Sequence, residues 1–324
     1  MGIGSFDGFP AQPRLIFMGT PDFAVPTLKA LLDHCYEVTA VVTQTDKPQG
    51  RGKKVVPPPV KQVALERKVP VLQPEKASSA VFCDQVRSMV PDLIIVVAFG
   101  QILKKELLEA PKWGCVNIHA SLLPKLRGAA PIQRAIMNNE KVTGLTVMRM
   151  DEGMDTGPIL FQEEAAIIDD ETAGHLHDRL SIMAGGLMVR TLKSMAGGEV
   201  RETPQKPAEA TYAPKIGRNA GLLDWTQPSE KVSAFIRALD PRPGAHTSWE
   251  GKEVKLFSST VIDKKLDVPI PGRVRGCKEG CLVVETGKGT VGIRELQISG
   301  KKRLPAPDFL RGVPLPEGSM LGKQ

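Results

Sequence analysis

The stretch "VFCDQVRSMVPDLIIVVAFG", residues 81–100, joins two elements of different character. Its first half reads as a helix. Its second half, "PDLIIVVAFG", is an apolar run with no polar face that ends at Gly100. A strand apolar on both sides needs cover on both sides, as in the interior of a parallel sheet.

Working outward, the same alternation recurs. Upstream, "RLIFMG" (14–19) is a short apolar run closed by Gly19, and "PDFAVPTLKALLDH" (21–34) carries helical spacing at Phe23, Leu28, Leu31 and Leu32. "EVTAVVTQ" (37–44) is the next strand. Downstream, "GCVNIHA" (114–120) reads as a strand, "APIQRAIMNNE" (130–140) as a helix and "VTGLTVMRMD" (142–151) as a further strand. A long helical stretch over 172–198 closes the series. Strands alternating with helices predict a Rossmann-like α/β fold with a doubly wound parallel sheet.

At 324 residues, two domains are expected. Composition, 41% hydrophobic and 24% charged, is that of a soluble globular chain, and no apolar run approaches the ~20 residues of a membrane span. Residues 1–13 read as a loose leader, without the charged start and apolar core of a signal peptide. Phe6 occupies the place where a myristoylation signal needs Ser or Thr. Residues 14–204 form the first domain, and 205–214, within the Pro-rich "RETPQKPAEATYAPKIG", the linker. In 215–324 a helix-like "SEKVSAFIRALD" precedes short, glycine-punctuated strands, which predict a small five-stranded Greek-key barrel of the OB type.

Charge divides the chain the same way. Residues 1–204 hold 23 Lys+Arg and 23 Asp+Glu; residues 205–324 hold 20 and 13, which supply the whole net charge of +7. A basic module beside a neutral one suggests a polyanionic partner, nucleic acid first. The five cysteines, Cys35, Cys83, Cys115, Cys277 and Cys281, are odd in number and scattered. That suggests reduced thiols and a cytoplasmic location. Cys277 and Cys281 have no second ligand pair nearby and read as strand residues flanking a turn. His175 and His177 lie in a helical region at a spacing that separates their faces, so no metal site is expected. "KKR" at 301–303 reads as a solvated turn.

The first glycine turn, "MGTPDFAVP", lacks the second glycine that lets backbone approach a pyrophosphate, which argues against a nicotinamide dinucleotide. "NIH" (117–119) has the period of a strand, so Asn117 and His119 share a face at the carboxyl end of a parallel strand, where such sheets bind ligands. The acidic turn "MDEGMDTGPIL" (150–160) offers Asp151, Glu152 and Asp155. A carboxylate near an imidazole fixes its tautomer and favours its charged form, while an Asn amide and an imidazolium both donate to an oxyanion. With no Ser or Cys in the motif, the nucleophile belongs to the substrate.

N-x-H-x-S-L-L-P followed by R-G-x-x-P-I-Q, with D-x-G-x-D-T-G-P downstream, closely resembles the folate-dependent formyltransferases. "GTPDFAVPTLKALL", "TQTDKPQGRGKKVVPPPVKQVA" and "APKIGRNAGLLDW" are similar to the family's tRNA-directed members, and the resemblance covers most of 14–310. It implies 10-formyltetrahydrofolate as donor, the α-amine of methionine on initiator tRNA as acceptor, and no metal. It implies Asn117, His119 and Asp155 as the transfer centre. Ser121, Leu122, Leu123 and Pro124 correspond to the folate-contacting loop. Val97, Ala98, Phe99 and Gly100, with Asp151, are expected at the pterin end. The loop at 46–60, which reads as mobile and basic, would bring Arg51, Lys53 and Lys54 to the acceptor stem. A monomer without membrane attachment is expected. Two alternatives remain at this point: a sister enzyme acting on a small acceptor or water, and a noncatalytic RNA-binding protein.

Overall fold

The structure is a computed structural model and describes residues 6–49, 54–217 and 220–322. In chain order the first part contains β1 (Arg14–Gly19), α1 (Val25–Asp33), β2 (Glu37–Val42), β3 (Lys47–Gln49), β4 (Lys54–Val56), α2 (Pro59–Glu66), β5 (Val71–Leu72) and α3 (Ala80–Ser88). There follow β6 (Leu93–Val97), α4 (Lys105–Leu108), β7 (Cys115–His119), α5 (Pro131–Met137), β8 (Val142–Arg149), β9 (Ile159–Ala166) and α6 (Ala173–Ala196). Contacts divide the chain into two compact units. Unit 1 is 1–128, 144–165 and 177–212; unit 2 is 129–143, 166–176 and 213–324.

Unit 1 is built on a seven-stranded sheet of order β5-β2-β1-β6-β7-β8-β9. β6 sits at its centre, and every residue of its "LIIVV" is buried. Ile94 and Val96 pack with Phe82, Cys83 and Val86 of α3 and Leu107 of α4, while Leu93, Ile95 and Val97 are buried on the other face. This is the two-sided cover that a strand without a polar face requires. α6 lies close to α1 at Gly185, where a Cβ would come within 2.9 Å of the Pro26 carbonyl oxygen. Only glycine lets those helices approach so far.

The pairs β2–β5, β1–β2, β1–β6 and β6–β7 are parallel, as the alternation predicts. β8 is not: it runs antiparallel to β7, with Ile118 opposite Val147 and His119 opposite Thr146. A parallel return needs a crossover that spans the sheet. Here the connection, residues 120–141, contains only one short helix, α5, and that helix belongs to unit 2. The chain therefore re-enters at the end it left. The sheet is mixed.

A further expectation changes. The leader is not loose where it is described: Phe6 and Phe9 are 1% and 4% exposed, and Phe9 meets Trp113 edge to face. The Arg149 guanidinium lies 4.6 Å from the centre of the Phe6 ring. Two aromatic rings hidden in a Gly- and Pro-rich segment offset the cost of ordering it. The described flanks of the loop at 46–60 pair as a two-stranded ladder, β3 against β4, while residues 50–53 of that basic loop lie outside the described residues. Beneath it the Lys61 ammonium, and then the Gln73 amide, hydrogen-bond the Asp46 carboxyl and hold it below the usual carboxylate range.

Unit 2 adds α7 (Ser229–Ala238), β10 (Ala245–Trp249), β11 (Lys252–Asp263), β12 (Val274–Lys278), β13 (Cys281–Glu285), β14 (Thr290–Ile298), β15 (Leu304–Pro305) and α8 (Ala306–Gly312). The strands form an antiparallel sheet of order β10-β11-β14-β13-β12, with β15 beside β14. Its core gathers Trp225, Val232, Ile236, Leu256, Val284, Ile293 and Phe309. The end strands β10 and β12 are bridged by the tail: Gly318 N–H donates to Val274 at 2.9 Å, Leu321 N–H to Gly272 at 2.9 Å, and Gly322 N–H to Ser248 at 2.8 Å. Pairing both edges through one segment hides the backbone groups an open sheet would expose.

Cys277 and Cys281 flank the β12–β13 turn, as the sequence suggests. Arg303 does not sit in a solvated turn; it donates to Asp240 at 2.7 Å and to Glu295, and lies 4.1 Å from the Phe257 ring centre. Among the described residues no helix is long and apolar enough to cross a membrane.

Candidate active site

β7 ends with Asn117 and His119 on one face, and Ile118 between them is buried on the other. His119 is 6% exposed. Its Nε2 is 3.0 Å from the Leu126 carbonyl oxygen, which only accepts, so Nε2 carries the hydrogen. Its Nδ1 faces Asp155 Oδ2 at 3.6 Å, too far for a hydrogen bond but within ion-pair range. The ring is thus held between a backbone carbonyl and a carboxylate. The half-buried Asn117 amide has no hydrogen-bond partner among the described residues. A half-buried carboxamide without a protein partner, beside a fixed imidazole, is open to solvent or to a ligand.

Asp155 sits at φ +56°, in the left-handed region. Such a backbone costs of order 1 kcal/mol and persists only where its surroundings determine it. Three contacts do so. Oδ2 accepts the Gly128 N–H at 2.8 Å, and the Asp155 and Gly157 carbonyls accept Gln205 Nε2 at 2.8 and 2.7 Å. Gly157 also presses on β8, where a Cβ would fall 1.9 Å from the Arg149 carbonyl oxygen. Asp151 is spent inside the same turn, accepting from Gly153 N–H at 3.0 Å and Thr156 Oγ1 at 2.7 Å.

The loop 121–124 is braced from within. Ser121 Oγ donates to the Lys125 carbonyl at 2.6 Å, Thr146 Oγ1 donates to the Ser121 carbonyl at 2.7 Å, and Gln162 Nε2 donates to the Leu123 carbonyl at 2.9 Å. Ser121 and Leu123 are buried, whereas Leu122 and Pro124 are half-buried. After β6 the backbone turns through Ala98 at φ +47° and Gly100 at φ +81°, both exposed, while Val97 and Phe99 are buried. The carbonyls of Phe99 and Gly100 each accept Gln44 Nε2 at 3.1 Å.

The structure therefore brings Asn117, His119, Asp155 and the 121–124 loop together within unit 1. Arg51 and Lys53 lie outside the described residues; Lys54 begins β4. Sequence reasoning missed the Leu126 carbonyl, Gln44, Gln162, Arg127 and Gln205. Arg127 lay inside the R-G motif without a role, and Gln205 lay in the presumed linker with no signal at all. Among the described residues no group of His, Cys, Asp and Glu could hold a metal ion.

The family described as "Formyl transferase" matches residues 13–192, and "Formyl transferase, C-terminal domain" matches 215–314. The chain belongs to the formyl transferase family. Within this family it is 46% identical over 310 residues to the methionyl-tRNA formyltransferase of Pelotomaculum thermopropionicum, covering 96% of this chain and 99% of that one. It is 47% identical over 311 residues to that of Geobacter sulfurreducens, with 96% and 97% covered. Among solved structures, an N-formyltransferase from Helicobacter canadensis, in complex with folinic acid and dTDP-3-aminofucose, superposes at TM-score 0.67 and 19% identity. That match covers 90% of this formyl transferase and 100% of the other. The methionyl-tRNA formyltransferase of Clostridium thermocellum superposes at TM-score 0.58 and 17% identity, over 88% and 98%. These structural likenesses are of fold.

Proposed function

We propose that this formyl transferase moves the formyl group of 10-formyltetrahydrofolate to the α-amine of methionine esterified to initiator tRNA, as a cytoplasmic monomer. The observation that carries the reading is the open Asn117 amide beside His119, itself fixed between Leu126 and Asp155. The near-complete match to relatives named methionyl-tRNA formyltransferase supports the acceptor. So does the excess of 20 Lys+Arg over 13 Asp+Glu in residues 205–324.

The amine, with its lone pair free, attacks the formyl carbon, and the carbonyl electrons move onto oxygen. Asn117 donates to that oxyanion from a preorganised position, which needs no reorganisation at the moment of reaction. The nitrogen–carbon bond is then complete, and the bond from carbon to folate N10 breaks. N10 leaves with the proton that the amine gives up. His119 and Asp155 carry it: Nδ1 is the ring position not committed to Leu126, and the carboxylate faces it. Leu122 and Pro124, with the exposed turn at Ala98 and Gly100, flank the donor; Asp151 shapes the turn that presents Asp155. Arg51, Lys53 and Lys54 serve the phosphates of the acceptor stem.

Release of tetrahydrofolate from 10-formyltetrahydrofolate, measured with and without methionine-charged initiator tRNA, tests the reading. Release is expected only with the charged tRNA, with formylmethionine recovered from it. Release without tRNA, or with a small amine acceptor alone, would replace tRNA as the acceptor. No release in any arm would remove the enzymatic reading.

A further inference from the structure

The segment between Arg201 and Tyr212 reads as a spacer, yet it is bonded at every few residues to the loops that carry the candidate site. Glu202 pairs with Arg149 Nε at 2.5 Å. Thr203 exchanges backbone hydrogen bonds with Ile159 at 2.8 and 2.9 Å. Thr211 takes the Leu126 N–H on its hydroxyl at 2.9 Å and the Arg127 N–H on its carbonyl at 2.9 Å. The Leu126 whose N–H is held in this way is the residue whose carbonyl orients His119.

Gln205 stands at the centre. Its Oε1 accepts Arg127 Nε at 3.1 Å and an Arg127 terminal nitrogen at 2.7 Å, and its Nε2 donates to the carbonyls of Asp155 and Gly157. Every polar atom of the side chain is used, and Arg127 is 5% exposed. A carboxamide is the group that can accept on one side and donate twice on the other. One residue therefore ties the strand of loop beside His119 to the left-handed turn that presents Asp155.

We infer that Gln205 is a positioning residue for formyl transfer: through Arg127 and the Asp155 carbonyl it sets the separation between the His119 ring and the Asp155 carboxylate. The inference rests on the function proposed above. Both polar atoms of the Gln205 side chain are committed to protein partners, so its loss is expected to change the turnover step and to leave the binding of both substrates as it was. Misplacing reacting groups by about 1 Å costs roughly 100-fold in rate.

The experiment measures kcat, KM for the folate, KM for the charged tRNA and the pH profile of full-length Gln205→Ala and Gln205→Glu against the wild type. Gln205→Ala is expected to lower kcat about 100-fold, with both KM values within about twofold of wild type. Gln205→Glu keeps the acceptor for Arg127 but places oxygen against two carbonyls. Its activity relative to wild type is expected to rise as pH falls, because a protonated carboxyl regains one donor. Gln205→Ala has no such group and shows no rise. A wild-type kcat in Gln205→Ala overturns the inference. So does a loss shared equally by kcat and both KM values, or a Gln205→Glu profile parallel to that of Gln205→Ala. Absence of wild-type turnover in the same assay would instead count against the proposed reaction.

Discussion

Two groups of polar side chains, the ionic clusters of unit 2 and the residues at the end of β7 in unit 1, are treated in opposite ways. In unit 2 the clusters around Glu285 and Arg303 are saturated, although the buried Arg134 Nε and the Thr143 and Ser259 hydroxyls have no hydrogen-bond partner among the described residues. Glu285, with no exposed surface, accepts the Ile270 N–H at 2.7 Å and pairs with Arg273 at 2.7 Å and Arg275 at 3.3 Å. Arg303 is gripped by Asp240, Ser258 and Glu295. Removing the arginines would leave the buried Glu285 or Asp240 carboxylate uncompensated, so these groups hold structure. In unit 1 the polar groups at the end of β7 are left incomplete. Asn117 has an open amide, and His119 faces Asp155 across 3.6 Å. The supports around them are complete, from Leu126 to Gln205. The saturated clusters hold scaffold, while the open amide of Asn117 sits among complete supports at the site where we propose the chemistry.

The sharpest way to break this contrast is His119→Ala. Turnover is expected to fall by about 100-fold or more, on the scale of lost oxyanion and proton-transfer groups. Affinity for charged tRNA, measured by filter binding or fluorescence, should stay within about twofold, because the basic surface is elsewhere in the sequence. An equal fall in both would mean that the gap at β7 is part of tRNA recognition.

Salt sharpens the same contrast with a smaller effect. Between about 50 and 200 mM salt, tRNA affinity is expected to fall by about tenfold to 100-fold, as phosphate contacts release counterions. Folate affinity, which we expect to rest on residues within the charge-balanced stretch 1–204, should change far less. A flat tRNA response would make the excess of positive charge incidental.

The smallest effect concerns the thiols. Cys35 and Cys277 are exposed, whereas Cys83, Cys115 and Cys281 are buried. Burial pushes all three of those thiols up from the ordinary range. A thiol-exchange reagent at about pH 8 should react quickly with two cysteines and reach the other three only on unfolding. In the unfolded chain these thiols ionise above about pH 8.5, while the folded chain keeps their protons. The unfolded state then binds fewer protons, so stability should decline as pH rises through that range. Fast reaction at Cys115 would mean that the centre of the sheet opens.

Much of unit 1 was legible because its signals are local. The run at β6 has no polar face, and Asn117 and His119 follow the two-residue period of a strand. Direction is not local. Nothing in "VTGLTVMRMD" distinguishes an antiparallel β8 from a parallel one, since side chains alternate alike in both. Phe6 and Phe9 were hidden because their partners, Arg149 and Trp113, lie more than a hundred positions away. Gln205 was illegible for the same reason: its partners are Arg127, Asp155 and Gly157, and its own surroundings are rich in proline and polar residues. The chemistry could be read from the residue types that perform it, but the supports could not, because a support is defined only by what it touches.

The path of the chain between the units has a consequence for inheritance. Unit 2 takes 129–143 and 166–176 from within the stretch that builds unit 1, and the chain passes from one unit to the other five times. Met137, from the first of these excursions, packs against the core of unit 2. A gene segment cut at the proline-rich stretch would carry the sheet of unit 2 without α5, and leave unit 1 with two pieces that belong to its neighbour. Neither unit is a portable part. Recombination that swapped unit 2 for another would have to exchange three segments together.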